Sequence, residues 1–246
     1  MNNDYNNNIN NTNIQQNLKI DERQVASYMT KVMGWMAAGL AITFGIAYLV
    51  YTTPSLQRGL FGSDIIFYGI LIAQVAVVFI MSGVINKINS TAALLMFIVY
   101  ATLTGLTISI IMLAYEVSSI LYVFGLTVVI FLVMAAYGYI TQKDLTKIGT
   151  MAIFGLFGII IASVFNLFMK SSGIDYIVSI VGVVIFIVLT AWDTQRIKNQ
   201  YLYETSQGTD EKSDRIQKFA IYGALMLYLD FINLFLKLLR LFGKRR

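Results

Sequence analysis

Long apolar stretches alternate with short polar stretches along most of the chain. Five of them contain no Asp, Glu, Lys or Arg and reach the roughly 20 residues that a helix needs to cross a bilayer. They are Val32–Tyr51, Ile65–Ile85, Thr91–Ala114, Ser118–Ile140 and Ile148–Met169. A shorter stretch, Tyr176–Trp192, is equally free of charge, and Phe219–Leu236 contains one charged residue, Asp230. The pattern predicts an all-α integral membrane protein with seven transmembrane helices.

The polar segments between these stretches define the expected domains. Most are short, which favours one compact antiparallel bundle, and only Thr194–Lys218 is long enough to be predicted as an extended polar loop. Residues 1–28 are polar and rich in asparagine, so they lack the apolar side chains that a folded core requires. We therefore expect a disordered tail over residues 1–28 and a seven-helix domain over residues 29–246. The nearly continuous apolar character of the last stretch places the C-terminal helix at the centre.

The distribution of Lys and Arg predicts the orientation of the bundle. If the N-terminus is cytoplasmic, eleven of these residues lie on the cytoplasmic side: Lys19, Arg23, Lys31, Lys87, Lys143, Lys147, Arg196, Lys198, Lys212, Arg215 and Lys218. The opposite loops contain only Arg58 and Lys170. The basic segment after the last apolar stretch opposes this bias. Either the last helix crosses fully and takes that segment outside, or it is re-entrant and the segment returns to the cytoplasm.

The composition narrows the possible functions. The chain is 57% hydrophobic and 13% charged, with a mean hydropathy of +0.70, and it contains no histidine and no cysteine. The usual zinc, iron and copper sites need one of these two residue types. Ser-His-Asp and Cys-His catalysis need them as well. Both groups of functions are therefore excluded.

The acidic residues at membrane depth are the candidate functional residues. Asp230 lies well inside the last apolar stretch, where an unpaired carboxylate costs roughly 3 kcal/mol or more. Asp193 ends the sixth stretch, and by itself it is equally well explained as an interfacial residue near Arg196. If the last helix is central, the two aspartates come close together. Two carboxyls in contact hold a shared proton, which would make a pH-sensitive site.

Several segments resemble one known family of membrane proteins. The first stretch, Tyr28–Val50, is similar to the opening helix of the Bax inhibitor-1 family, and Thr104–Gly149 is similar to its third and fourth helices. The two most specific matches are Ala191–Lys198 (AWDTQRIK) and Ile221–Gly243 (IYGALMLYLDFINLFLKLLRLFG). The match covers nearly everything from Met29 onward and resembles the bacterial members. The family usually has tyrosine where Trp192 stands, a conservative change.

The resemblance implies an architecture and an activity. Family members have seven helices, with the last surrounded by the other six, and they are associated with a pH-sensitive calcium leak. Their proton-sharing aspartates correspond to Asp193 and Asp230, which would bind calcium weakly and transiently. A basic residue after the second helix holds the path closed, and its nearest equivalent is Lys87, although lysine lacks the two-pronged geometry of arginine. Calcium and protons are the expected ligands, with no bound cofactor.

Other classes of function compete with the leak. Aspartyl intramembrane proteases also use two aspartates, but the glycine-containing motif of those enzymes is absent around Asp230, so we expect no enzyme. A non-conducting regulator that binds a membrane protease or the stress and cell-death machinery is the main alternative. A proton-coupled carrier is a further one. We expect a multi-pass protein of the bacterial inner membrane, with the lipid bilayer as a partner and no nucleic acid.

Overall fold

The computed structural model describes the backbone of residues 2–210 and 213–246, and the side chains of residues 22–210 and 213–246. Over these ranges the chain forms eight α-helices and no β-strand: α1 (Asn2–Thr52), α2 (Pro54–Phe61), α3 (Asp64–Val84), α4 (Ser90–Ala114), α5 (Val117–Ile140), α6 (Thr146–Met169), α7 (Ser172–Ser206) and α8 (Asp214–Phe242). All but the short α2 contain a span long and apolar enough to cross a membrane. The predicted all-α seven-helix membrane fold is confirmed.

The tail predicted over residues 1–28 coincides with the start of α1. Its first 21 residues lie outside the part of the chain whose side chains are described, so their expected disorder stays a prediction. From Glu22 onward α1 is helical, and both Val25 and Tyr28 are buried. The ring of Tyr28 stacks on that of Tyr201, with 4.4 Å between centroids. The helix therefore packs against the bundle before the apolar stretch begins.

Short polar turns begin several of the helices by capping their free N–H groups. Asn89 accepts from the backbone N–H of Ala92 at 2.9 Å and begins α4. Ser171 and Ser213 play the same role before α7 and α8. Lys170 ends α6 with a φ of 50°, a left-handed conformation that stops the helix. Local sequence thus sets where the membrane helices turn back.

The central position predicted for the C-terminal helix is confirmed. Of the apolar window of α8, 67% is buried inside the protein, against 6% for α3. Helices α1, α4, α5 and α7 pack directly on α8, whereas α3 packs mainly on α4 and α6 on α7. Tyr228, Leu234 and Phe235 of α8 have no exposed surface. Four helices therefore surround α8, with α3 and α6 at the flanks.

Close contact between α1, α4 and α8 depends on a glycine and a buried hydroxyl pair. A Cβ atom on Gly105 of α4 would lie 2.7 Å from the carbonyl oxygen of Thr43, so only glycine fits there. The Thr43 hydroxyl donates to the carbonyl oxygen of Ala101 at 2.9 Å and lies 2.5 Å from the Tyr228 hydroxyl. Buried hydroxyls need such partners in a bilayer. This cluster fixes the three helices relative to one another.

The prediction of a long polar loop over Thr194–Lys218 is wrong. Helix α7 continues to Ser206 and α8 already begins at Asp214, so only a short turn separates the two helices. A buried Glu204 near the end of α7 forms an ion pair with Arg215 at 2.7 Å. The last helical turns of α7 and the first of α8 lie beyond the apolar stretches, so the hydropathy pattern does not detect them. Their helicity comes from packing and ion pairing.

The C-terminal basic segment settles how α8 crosses. The backbone N–H of Glu116, in the α4–α5 turn, donates to the carbonyl oxygen of Lys244 at 3.0 Å. The backbone N–H of Arg246 donates to the carbonyl oxygen of Ala114 at 3.0 Å. Helix α8 therefore runs from the side of the α7–α8 turn to the side of the α4–α5 turn. It is not re-entrant, and the basic segment lies on the opposite side from the end of α7 and the start of α8.

A candidate site at two buried aspartates

The two aspartates singled out by the sequence come together inside the bundle. Asp193 of α7 is 8% exposed and Asp230 of α8 is 4% exposed. Their carboxyl groups lie close enough to each other to share a proton, and both line one cavity. The Oδ1 atom of Asp193 and the Oδ2 atom of Asp230 have no hydrogen-bond partner in the part of the chain that is described. The site thus has one carboxyl–carboxyl contact and two free acceptor oxygens.

Close helix packing holds Asp193 in place. At Gly138 of α5, a Cβ atom would collide with the backbone of Ala191, so α5 and α7 approach closely just before Asp193. The Gln195 amide, two residues later, accepts from the backbone N–H of Leu145 at 2.9 Å and donates to the carbonyl oxygen of Lys143 at 2.8 Å. Those bonds attach α7 to the α5–α6 turn. The carboxyl of Asp193 is therefore held just inside the level of that turn.

Helix geometry gives the depth of the pair. At 1.5 Å per residue, Asp230 lies about 18 Å along α8 from Phe242, the end of that helix. Gln195, two residues after Asp193, binds the α5–α6 turn, which lies on the predicted cytoplasmic side. Asp193 is therefore close to that side, whereas Asp230 lies near the middle of α8, about 24 Å from Asp214 at the other end of the helix.

A cavity of about 380 Å³ adjoins the pair. Apolar side chains of α6, α7 and α8 form most of its wall, together with Asp193, Asp230, Arg196 and Asn233. Arg196 also lines two cavities of about 380 and 310 Å³ toward the predicted cytoplasmic side, and its guanidinium lies 5.4 Å from the centre of the Trp192 ring. Arg196 is therefore shared by the cavity beside the pair and by two cavities nearer that side.

The resemblance assigns the latch role to Lys87, but the structure does not place this residue beside Asp193 and Asp230. Its side chain is exposed on the α3–α4 turn, and among the described residues no ion pair joins it to Asp193. The same turn is bound by Lys218, whose ammonium donates to the carbonyl oxygens of Asn86 and Ile88 at 3.2 Å. Lys218 lies about 18 Å along α8 from Asp230. The latch role of Lys87 stays a prediction.

Arg196 follows Asp193 by three residues on α7 and lines the same cavity, although among the described residues no ion pair joins the two. From the sequence, Arg196 is expected only as a neighbour of Asp193 at a helix end. The signal was its spacing, because residues three apart on a helix share a face. That spacing becomes informative only once α7 is known to continue past Asp193 to Ser206.

One face of α8 is not covered by another helix. Its residues are half-buried and recur at helical spacing: Phe219, Tyr222, Met226, Leu229, Asn233 and Leu236. We call them the open face of α8. Successive cavities lie along it, and Asn233 lines both the cavity beside the aspartates and a larger one of about 830 Å³ toward the C-terminal end. Sequence reasoning missed Asn233, although it follows Asp230 by about one helical turn.

The chemistry of the pair suits weak cation binding. Calcium takes six to eight oxygen ligands, and Asp193 and Asp230 supply at most four carboxylate oxygens between them. Within the described ranges no His, Cys, Asp or Glu joins them in a group of three. Asn166, a further polar residue at membrane depth, is engaged elsewhere, donating to Asp175 at 2.8 Å and to the carbonyl oxygen of Ser171 at 3.1 Å. It therefore ties the end of α6 to the start of α7.

Comparison with known proteins identifies relatives along almost the whole chain. The family model described as inhibitor of apoptosis-promoting Bax1 matches residues 25–246. The inner membrane protein YbhL of Escherichia coli strain K12 is 40% identical over 220 residues, which is 89% of this chain and 92% of YbhL. An uncharacterised protein of Borreliella burgdorferi is 43% identical over 219 residues, 89% of this chain and 92% of that protein. The Rickettsia prowazekii protein RP147, also uncharacterised, is 41% identical over 243 residues, 96% of each chain.

These relatives bear on the localisation. YbhL is by name an inner membrane protein, and the present chain has seven helices of membrane-spanning length among its described residues. The predicted multi-pass integral protein of the bacterial inner membrane is confirmed.

Proposed function

The chain belongs to the Bax inhibitor-1 family, and from this premise we propose that it is a pH-sensitive passive calcium leak channel gated by protonation of the Asp193–Asp230 pair. One observation carries the proposal: two carboxyls from different helices are buried in contact at membrane depth and keep two unbound oxygens. A buried acidic pair of this kind is costly in a bilayer, so its presence favours a functional role.

Protonation would act through the contact between the two carboxyls. Two carboxylates in contact repel each other strongly, so the pair holds a shared proton over part of the pH range. That proton forms the hydrogen bond that draws Asp193 and Asp230 together. Its loss leaves two negative charges that separate and attract a cation. Protons and calcium therefore compete for the same oxygens.

Weak binding is what a leak requires. An ion that moves along a path must leave each site as readily as it enters. The pair offers too few ligands for storage, and water in the adjoining cavity of about 380 Å³ would complete the shell. Asn233 separates this cavity from the larger one toward the C-terminal end. We propose that the path opens when the side chains at this junction move apart.

Two cations are candidates for holding the path closed. Lys87 is the one that the family resemblance implies, and it would have to approach Asp193 from the α3–α4 turn. Arg196 already lines the cavity beside Asp193 and two cavities on the same side. A buried carboxylate needs a counter-charge, so either residue would favour the ionised form of the pair. Variants of each separate the two possibilities.

The deciding experiment measures calcium entry into vesicles of pure lipid that contain only this protein. A leak channel conducts calcium without any other protein and without a catalytic step, and its flux changes with pH. A non-conducting regulator, which would act by binding a membrane protease or the stress and cell-death machinery, gives no flux above empty vesicles. A proton-coupled carrier gives saturable uptake of its substrate. Absence of calcium flux at every pH would overturn the proposal.

A further inference from the structure

The largest cavity toward the C-terminal end of α8 has a different chemistry from the aspartate site. It measures about 830 Å³ and lies between α4, α6, the start of α7 and α8. Its charged lining residues are Lys170, Lys237, Arg240 and Asp175, which gives a formal charge of +2. Ser172, the first residue of α7, also lines it, and the positive end of a helix dipole adds to the potential. The cavity is therefore electropositive.

Most of this positive charge is not neutralised by the protein. Arg240 forms an ion pair with Asp175 at 3.1 Å, and Asp175 also accepts a hydrogen bond from Asn166. Lys170 and Lys237 form no ion pair and no side-chain hydrogen bond with any residue in the described part of the chain. The stem of Lys237 packs over Gly182, where a Cβ atom would lie 3.0 Å from it. Two ammonium groups therefore remain available to an anion.

The rest of the wall combines polar side chains, among them Ser163, Asn166 and Asn233, with apolar ones. Ile111, Leu167, Leu236 and Leu239 line the cavity, and Leu167 is 72% exposed on the outside of the bundle. The cavity lies at the ends of α6 and α8, where lipid headgroups meet the hydrocarbon. From there the open face of α8 continues toward the middle of the membrane. A site for a small soluble anion would have no use for this apolar continuation.

We infer that this cavity binds the phosphate group of an anionic glycerophospholipid, with one acyl chain lying along the open face of α8. The two unpaired ammonium groups match a phosphodiester, and the apolar part of the wall matches the chain that follows it. A zwitterionic lipid would bring its own ammonium next to Lys170 and Lys237 and would bind less well. None of the groups that bind the phosphate belongs to the aspartate pair, so the inference stands without calcium conduction. If the path conducts, the bound lipid has to move aside at Asn233, where the two cavities meet.

The test compares lipid binding to the full chain purified in detergent. Phosphatidylglycerol and phosphatidylcholine with the same acyl chains are titrated separately, and the bound lipid is counted by native mass spectrometry. We expect preferential binding of phosphatidylglycerol. Each basic residue near a membrane surface is worth about a fivefold change in affinity. The double variant Lys170→Gln with Lys237→Gln should therefore weaken phosphatidylglycerol binding by about twenty-five-fold.

A matched control removes the same charge elsewhere. Lys143→Gln with Lys147→Gln changes two exposed lysines at the α5–α6 turn, on the other side of the bundle, and should leave binding unchanged. Asp175→Asn changes the charge in the opposite direction and keeps an acceptor for Asn166, so it should tighten phosphatidylglycerol binding about fivefold. This variant keeps the test decisive even if the double variant folds poorly.

Three results would overturn the inference. The first is equal binding of phosphatidylglycerol and phosphatidylcholine by the unmodified chain. The second is loss of binding that is no greater in the Lys170 and Lys237 variant than in the control. The third is displacement of phosphatidylglycerol by sn-glycerol 3-phosphate at equal concentration, which would assign the cavity to a soluble anion.

Discussion

The carboxyl of Asp193 on α7 contacts the carboxyl of Asp230 on α8, and each keeps one oxygen that no described group binds. The contact is possible because α7 continues for several turns past Asp193 and returns through a short turn into α8. The two residues therefore lie at one level of the bundle. Groups in such contact titrate as one unit, so a change in either should affect the behaviour of both.

The pH response of calcium flux should depend on the pair. Asp193→Asn and Asp230→Asn should each remove most of the pH dependence of calcium flux in vesicles, because neither variant can share a proton between two carboxyls. The double variant should do little more than the more severe single one, since coupled residues are not additive. If both single variants keep the full pH profile, the pair is not the sensor and the regulator becomes the better interpretation.

An acidic residue outside the membrane helices provides the control for this experiment. The side chain and backbone N–H of Thr146 bind the Asp144 carboxylate and hold the pKa of Asp144 below its ordinary value. A lowered pKa means that Asp144 stays ionised above about pH 4 and contributes no titration near neutral pH. Asp144→Asn should therefore leave the pH profile of the flux unchanged.

The latch is tested by removing one cation at a time. We predict that Lys87→Ala raises the basal calcium leak at neutral pH, because a closed path would lose its counter-charge. Arg196→Gln is measured beside it, and Lys147→Ala, an exposed residue of the α5–α6 turn, serves as the control. A rise in basal leak with Arg196→Gln alone would assign the latch to Arg196 and contradict the role expected for Lys87.

The orientation can be measured with single cysteines, since the chain has none of its own. We predict that the α7–α8 turn is cytoplasmic, as the bias of Lys and Arg indicates. A cysteine at Ser55 should react with a membrane-impermeant reagent in intact cells whose outer membrane has been opened, and a cysteine at Ser206 should not. Both residues are exposed, so accessibility within the protein does not decide the result. Labelling of Ser206→Cys alone would reverse the orientation.

The stability of the bundle should depend on the narrow contact between α1 and α4. Gly105→Ala puts a methyl group 2.7 Å from the backbone oxygen of Thr43, and relieving that overlap should lower the free energy of unfolding by about 1–3 kcal/mol. Gly125→Ala on α5 meets nothing within 4 Å and is the matched control. Unfolding in detergent micelles, followed by circular dichroism, measures both. Equal stability of the two variants would show that α1 and α4 separate easily.

The sequence predicts the membrane part of this fold well because hydropathy there reports the environment directly. Six of the seven apolar stretches lie wholly inside a helix, the stretch Ile65–Ile85 runs one residue past the end of α3, and the two aspartates at membrane depth come together. The helical structure of the polar segments is harder to predict from the sequence. The last turns of α7 and the first turns of α8 are helical because Glu204 and Arg215 pair between them, a contact that no window of hydropathy detects. The short α2, with Pro54 in its first turn, escapes detection because it lies outside the apolar stretches and buries no side chain.

The residues of the candidate site also divide into those that the sequence predicts and those that it does not. Asp193 and Asp230 are recognisable because a charge at membrane depth is costly. Asn233 and Lys237 are ordinary residues in the sequence, and only the open face of α8 gives them cavities to line. Lys87 is the opposite case. The family resemblance points to this residue, but a matching position in the sequence does not ensure that its side chain contacts Asp193.

The basic residues after α8 have consequences for how the protein is made. Lys244 pairs with Glu116 at 3.1 Å, the Arg245 side chain donates to the Tyr115 hydroxyl at 3.4 Å, and that of Arg246 donates to the Tyr51 hydroxyl at 3.2 Å. All three partners belong to segments that the ribosome makes earlier. The residues that receive these cations are therefore all synthesised before the basic segment itself, and that segment has its partners waiting for it along the chain.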